Sequence, residues 1–275
     1  MLSLVNIVTS IDMQQVSKVK VNGDLRLAVI EAVNEIGGVA NFIGEGEHVL
    51  LKPNFNTADE FPGSSDLDFL RVVIQLMYEA SAGEVILGET STFMMNPDRV
   101  MEKKGVFSLQ EIFPKLKILN FKKGNWVKKN IPNGKHLKSA SIPKILGQVQ
   151  KVVFLPCLKT HAMAQFTGAL KLSIGLMKPS ERIRLHMGHL QEKIAELSTL
   201  VNPDLIIMDG RKCFISGGPG KGDVREPGLI LASNARVAID IEGIKIIQSY
   251  DGNSLHDIIP QTMPQIKRAI ELGIL

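Results

Sequence analysis

The sequence predicts an α/β protein, with a mainly parallel sheet or sheets flanked by helices, and three observations carry that expectation. The apolar runs are short, they are continuous instead of alternating, and they take turns along the chain with stripes at helical spacing. The runs are residues 48–52, 84–88, 151–155 and 204–208, each ended by polar residues or glycine. Continuous hydrophobicity marks a strand covered on both faces, as in a parallel sheet. The N-terminal run 2–8 reads as a further, first strand.

The helices follow from spacing and stop signals. Leu25, Val29, Ala32, Val33 and Ile36 fall on one face, and Gly37-Gly38 ends the stripe. Leu67, Leu70, Val73, Ile74 and Met77 form a second stripe, entered through Ser64-Ser65-Asp66 and closed near Gly83. Residues 189–201 and 235–248 are two further helices. Residues 121–144 break the pattern: Lys122, Lys123, Lys128, Lys129, Lys135, Lys138 and Lys144 come without one acid, and Asn130, Pro132, Asn133 and Gly134 separate two short apolar stretches. A small antiparallel hairpin excursion is expected there. It sets a soft boundary near Gly147 between halves 1–147 and 148–275, which also read as one continuous domain.

Composition narrows the function classes. Of 275 residues, 44% are apolar and 22% charged, so a packed core is expected and disorder is not. A net charge of +4 is too small to point to nucleic acid, and 5% aromatics leaves little for base stacking. Cys157 and Cys213 make no C-x-x-C, so neither a zinc ribbon nor an intrinsic iron–sulfur cluster is expected. With no signal peptide and no membrane-length apolar run, the expected compartment is the cytoplasm.

Ligands of open α/β sheets gather beyond the carboxyl ends of the parallel strands. The residues there are Lys52 and Asn54; Glu89 with Thr90 and Ser91; Cys157, Lys159, Thr160 and His161; and Asp209. An extended chain puts residues 157, 159 and 161 on one face. Gly168-Ala169-Leu170-Lys171 can open a helix, and Lys178, Arg182, Arg184, His186 and His189 make a cationic run after it. On a helix, His186 and His189 would share a face, as a metal pair would. Residues 216–223 form a glycine-rich loop whose N–H groups at Gly217, Gly218 and Gly220, with Lys221, could hold an anion. It is neither a Walker A loop nor a G-x-G-x-x-G turn, and no G-x-S-x-G elbow exists.

The same residues carry a family likeness. Residues 49–54 and 84–89, with Pro62-Gly63 between, resemble the first half of a DUF362 domain. Residues 155–161, 167–171, Asp209-Gly210 and the stretch from Gly217 through Ala232 resemble its second half, in the right order. Many members of that family are fused to ferredoxin-like modules, which implies redox or metallocofactor work for those. This chain has no such module, carries Glu89 where Asp is common, and has Leu172-Ser173 where Asn usually follows Ala-Leu-Lys.

The leading expectation is an enzyme or enzyme-like protein for a small anionic molecule bearing phosphate or carboxylate. Lys52, Asn54, Lys159, Thr160, Lys171 and the glycine loop would hold it, and His161 would be the general acid or base. Asp209 or Glu89 would orient the histidine or hold a divalent cation. The alternatives are a metal- or metallocofactor-handling protein using His161, His186 and His189 with Cys157 or a carboxylate, and a binder of nucleic acid or an acidic partner through the lysine-rich excursion. Reaction type and oligomeric state stay open.

Overall fold

The computed structural model describes residues 15–275, so the strand expected at residues 2–8 lies outside the described residues. In chain order the elements are β1 (Ser17–Lys20), α1 (Leu25–Glu35), β2 (His48–Lys52), α2 (Leu67–Glu79), β3 (Glu84–Glu89), α3 (Pro97–Lys103), α4 (Leu109–Ile112) and β4 (Lys117–Asn120). Then come β5 (Trp126–Asn130), β6 (Ser139–Pro143), β7 (Lys151–Phe154), β8 (Cys157–His161), β9 (Gln165–Thr167), α5 (Ala169–Leu172) and α6 (Leu190–Ser198). The chain continues through β10 (Leu205–Gly217), β11 (Gly222–Arg225), β12 (Leu229–Ser233), α7 (Arg236–Gln248) and α8 (Pro264–Glu271).

One mixed, mostly parallel sheet runs in the order β1-β12-β10-β7-β2-β3-β4. The strands β4, β3, β2, β7 and β10 are parallel, while β12 joins β10 and β1 joins β12 antiparallel. β8 continues the line of β7 and pairs parallel with the outer half of β10; β9 and β11 fold back antiparallel on β8 and β10. Strands from both halves of the sequence therefore share one sheet, with β12, β10 and β7 of the second half lying between β1 and β2 of the first.

The strand pattern explains the layers. Leu50, Ile86, Val152, Phe154, Ile206 and Met208 point to one face, where α5, α6, α7 and α8 cover them. Their neighbours Val49, Leu51, Val85, Leu87, Val153, Leu205 and Ile207 point to the other face, under α1, α2 and α3. The expected helix signals act as read: Asp66 Oδ1 accepts the Phe69 N–H at the start of α2, and Gly37 and Gly38 adopt positive φ after α1.

The excursion is the expected hairpin, β5 on β6, in a separate two-stranded sheet. One face of it packs: Ile131, Leu137 and Ala140 form a small core with Met177, Leu185 and Leu197. Its turn is tied down by the buried Glu196 of α6, whose oxygens accept the N–H groups of Lys135, His136 and Leu137 at 2.7–2.9 Å. Arg268 of α8 completes the knot, 3.0 Å from Glu196 Oε1. Burial works to raise the Glu196 pKa, but the three N–H donors and Arg268 hold it below the usual carboxylate range.

Candidate functional site

Two chain segments deliver opposite charges to the carboxyl edge of the parallel strands. Lys52 ends β2 and Glu89 ends its neighbour β3, and their side chains meet at 2.6 Å with 1% and 2% of each residue exposed. Lys52 Nζ also donates to the Pro53 carbonyl at 2.5 Å. Burial lowers the Lys52 pKa, and the Glu89 carboxylate works against it. Glu89 is more than a counter-ion: its oxygens accept the N–H groups of Phe55 (3.0 Å), Thr90 (2.7 Å) and Ser91 (3.2 Å). Four donors leave it no lone pair free for a base's work.

Around this pair lies an inner cavity of about 50 Å³, room for a single oxyanion group or a few waters. Lys52, Asn54, Glu89, Lys159 and Lys171, all expected from the sequence, line it. Lys159, from β8, is buried and donates to the Gly63 carbonyl. Lys171, from α5, makes no hydrogen bond or ion pair among the described residues. Burial, with Lys159 and Arg182 nearby, pushes its ammonium down to about 7.

The structure adds Arg182 and Thr167, to which the sequence reading gave no place in the site, and sets Ser91, expected at the edge, in the cavity wall. Arg182 is buried, donating through Nε to the Met177 carbonyl (3.1 Å), through one terminal nitrogen to the Ser91 carbonyl (2.5 Å) and through the other to Thr90 Oγ1. Its 3-10 segment Pro179–His186 buries Pro179, Arg182 and Leu185, a period of three that the sequence reading passed over as a cationic run. Ser91, held at φ 51°, and Thr167 also line the inner cavity, and their buried hydroxyls have no hydrogen-bond partner. A non-glycine residue at positive φ beside a cavity is the kind of strain that accompanies binding sites.

His161 lines a second, outer cavity of about 380 Å³, which shares Asn56, Lys171, Ile174 and Arg182 with the inner one. Its Nδ1 accepts the N–H groups of Met163 and Ala164, each at 3.1 Å, which fixes the neutral tautomer with hydrogen on Nε2. Burial, then Lys171, Lys159 and His186, push its pKa down to about 3. With Nδ1 so occupied, the neutral ring presents its Nε2–H to the outer cavity as a hydrogen-bond donor.

Other expected members sit elsewhere for clear reasons. β10 does not end at Met208 but runs on to Gly217, so Asp209 is mid-strand; it is buried and clasped by Arg211 at 2.8 and 2.9 Å, and Arg211 reaches Asp66 at 2.7 Å. Asp209 thus joins β10 to the start of α2 and lines neither cavity. Thr160 is buried in β8 with an unpartnered hydroxyl, but it too lines neither. The glycine loop is the β10–β11 turn. Gly217 and Gly218 are needed at φ 74° and 78°, and Gly218 N–H is spent on the Lys221 carbonyl at 2.7 Å. Of this loop only Pro219 lines the inner cavity; Gly220 packs on Asp59, and Lys221 is exposed. His186 and His189 do not share a helix face. His186 ends the 3-10 segment and lines the outer cavity, whereas His189 caps α6 at φ 52° and stacks on His136 at 4.0 Å. Among the described residues no three His, Cys, Asp or Glu side chains are grouped as a metal would need. Cys157 is buried, and burial pushes its thiol up to about 11, which suits packing better than nucleophilic attack.

One positioning residue was not legible at all. Asp240 of α7 is fully buried and accepts the N–H groups of Ala169 (2.6 Å) and Leu170 (3.0 Å), capping the short helix that carries Lys171. Gly168 precedes that helix because any Cβ there would collide with the Asp240 carboxylate and the Phe166 ring. Gly168→Ala is expected to cost about 1–3 kcal/mol by overpacking, read as a lowered melting temperature, and to weaken anion binding by displacing Lys171.

Comparison with known proteins agrees with this architecture. A thylakoid-associated protein of Synechocystis is 28% identical over 261 residues, spanning 92% of this chain and 76% of that one. Two solved structures match with a TM-score of 0.51: a Thermotoga maritima protein at 11% identity and 92% coverage of this chain, and the lactate racemase apoprotein of Thermoanaerobacterium thermosaccharolyticum at 13% and 84%. The chain spans only 60% and 62% of those two chains, and at such identities the likeness is one of fold. The family model for a domain of unknown function, DUF362, matches residues 49–245, well over half the chain, and the protein belongs to that family.

Proposed function

We propose that the protein binds a small molecule through a phosphate or carboxylate group, at the carboxyl edge of the parallel strands. One observation carries the reading. Lys52, Lys159, Lys171 and Arg182 crowd a cavity whose lining holds a single acid, Glu89, already paired with Lys52. Buried charge of one sign is costly unless something of the other sign compensates it. Lys171, together with the unpartnered hydroxyls of Ser91 and Thr167, offers an oxyanion three donors with no competing partner. His161 would add Nε2–H from the outer side. Whether a reaction follows binding depends on what else the ligand carries. The thylakoid association of the Synechocystis relative bears on location, and no described helix is long and apolar enough to cross a membrane.

The test uses sulfate, whose charge is constant across the range. Lys171 must be protonated to hold an anion, and its pKa lies near 7. Sulfate affinity is therefore expected to be highest below that value and to fall by up to about tenfold per pH unit above it. Lys171→Met should bind more weakly and lose the pH dependence. If calorimetry finds neither sulfate, phosphate nor carboxylate bound in a way that responds to Lys171 or Arg182, the proposal fails.

A further inference from the structure

The inner cavity accounts for a charged group and nothing more, yet it shares four lining residues with a space several times larger. The wall of the outer cavity has a different chemistry: Phe93, Ile174, Ile183, Leu185 and Leu190 are among its lining residues. Two of these are unusually uncovered for their type, Phe93 at 62% and Ile183 at 71% exposed. Isolated exposed apolar residues need no explanation, but these two face a common space that leads to buried cations.

Nor are they free to drift. The loop bearing Phe93 is pinned by Lys122, whose Nζ donates to the carbonyls of Thr92 (2.8 Å), Phe93 (3.1 Å) and Met95 (2.5 Å). Ile183 follows Arg182, which is itself anchored on three oxygens, and comes two residues after Glu181, whose carboxylate accepts from Ser141 Oγ (2.6 Å) and N–H (3.0 Å). Both apolar walls are held in place before any ligand arrives, and pre-formed apolar walls with a few convergent polar groups describe small-molecule sites.

Resting on the anion reading above, we infer that the ligand is a two-part molecule: an oxyanion group seated among Lys171, Arg182 and Lys159, joined to an apolar body lying against Phe93 and Ile183. The outer volume suits a body on the order of ten non-hydrogen atoms. Lys171 and Arg182, which line both chambers, would sit at the junction between the two parts. Phe93, Ile183 and Leu190 would then set specificity, since they meet the part of the ligand that varies.

Calorimetric titration of the whole chain with inorganic phosphate, methyl phosphate, n-butyl phosphate and phenyl phosphate tests this. Each methylene buried against the outer wall should improve affinity by roughly three- to fourfold, so n-butyl phosphate, with three more than methyl phosphate, should bind about thirty- to sixtyfold more tightly. Ile183→Ser and Phe93→Ser alter exposed side chains and should fold; each should flatten that series, lowering ester affinity more than phosphate affinity. A parallel series on acetate and longer carboxylates distinguishes the two head groups. Phosphate or acetate binding with no gain along either series overturns the two-part ligand and leaves the anion site standing. If no head group and no longer homologue binds, the anion reading itself falls, and this inference with it.

Discussion

Glu89→Gln is expected to destabilise the protein by about 3–5 kcal/mol, on the order of 10 °C in melting temperature for a chain of this size. The substitution changes one atom but two electrostatic relations. The Lys52 ammonium, buried and touching Glu89 at 2.6 Å, loses its counter-ion. At least one of the donors that Glu89 now satisfies, from Lys52, Phe55, Thr90 and Ser91, would meet an amide N–H in place of an oxygen. The pH dependence has a definite sign. Burial already lowers the Lys52 pKa while Glu89 opposes the fall. Without Glu89 the folded-state value drops further below the unfolded value. The unfolded chain then binds more protons, so the variant's stability rises with pH between the two values. Denaturant unfolding should show the deficit shrinking from pH 7 towards pH 10. Removing both charges, in Lys52→Met with Glu89→Gln, should recover part of the loss, because leaving one buried charge unpaired costs more than replacing both. An unfolding free energy for Glu89→Gln equal to wild type would show that Lys52 is uncharged in the native protein.

That pair also shows why some of the site could be read from the sequence. Lys52 and Glu89 stand at the ends of strands whose apolar runs are unmistakable, and parallel strands bring their carboxyl ends to one edge whatever the intervening loops do. Lys171 was legible for a related reason: Gly168-Ala169 opens a helix immediately after the chain leaves the same edge. The rule failed where the strand did not end. Asp209 precedes a glycine, as a turn residue would, but β10 passes straight through Gly210 because β12 pairs with it on one side and β8 on the other. No local signal distinguishes those outcomes; the pairing is tertiary.

The sequence reading put the β8 residues at a strand end, with 157, 159 and 161 on one face if extended, but gave them no strand of their own. The extended form of β8 is imposed by β10 and β9, and its lysine is buried because the cavity, not a hydrophobic partner, receives it. The glycine loop misled in the opposite sense. Its glycines serve positive φ and close backbone approach, with the Gly218 α-carbon lying against the Thr160 carbonyl, and they leave its N–H groups no share of the cavity lining. Arg182 and Thr167 escaped notice because burial, which makes them part of the site, is a property of the assembled layers.

The lysine-rich excursion invites a surface role, but its inner face acts on the site, and this yields the second large effect. β6 clamps the segment that carries Arg182: Ser141 donates to Glu181 through both N–H and Oγ, and its carbonyl accepts from Lys178 at 2.9 Å. The excursion is in turn moored to α6 and α8 through Glu196 and Arg268. Glu196→Ala would leave the Arg268 guanidinium buried with one anion fewer and orphan three backbone N–H groups, a loss of about 3–5 kcal/mol. The loss should be local in the first instance, because the excursion shares no strand with the main sheet. Hydrogen exchange should therefore show amides of residues 131–143 and 178–186 losing protection together, while β2 and β3 keep theirs. Anion affinity should fall with them, since Arg182 loses its backing although Glu196 touches neither cavity. Unchanged exchange in residues 178–186, with the excursion opened, would show that Arg182 is held by Met177, Thr90 and Ser91 alone.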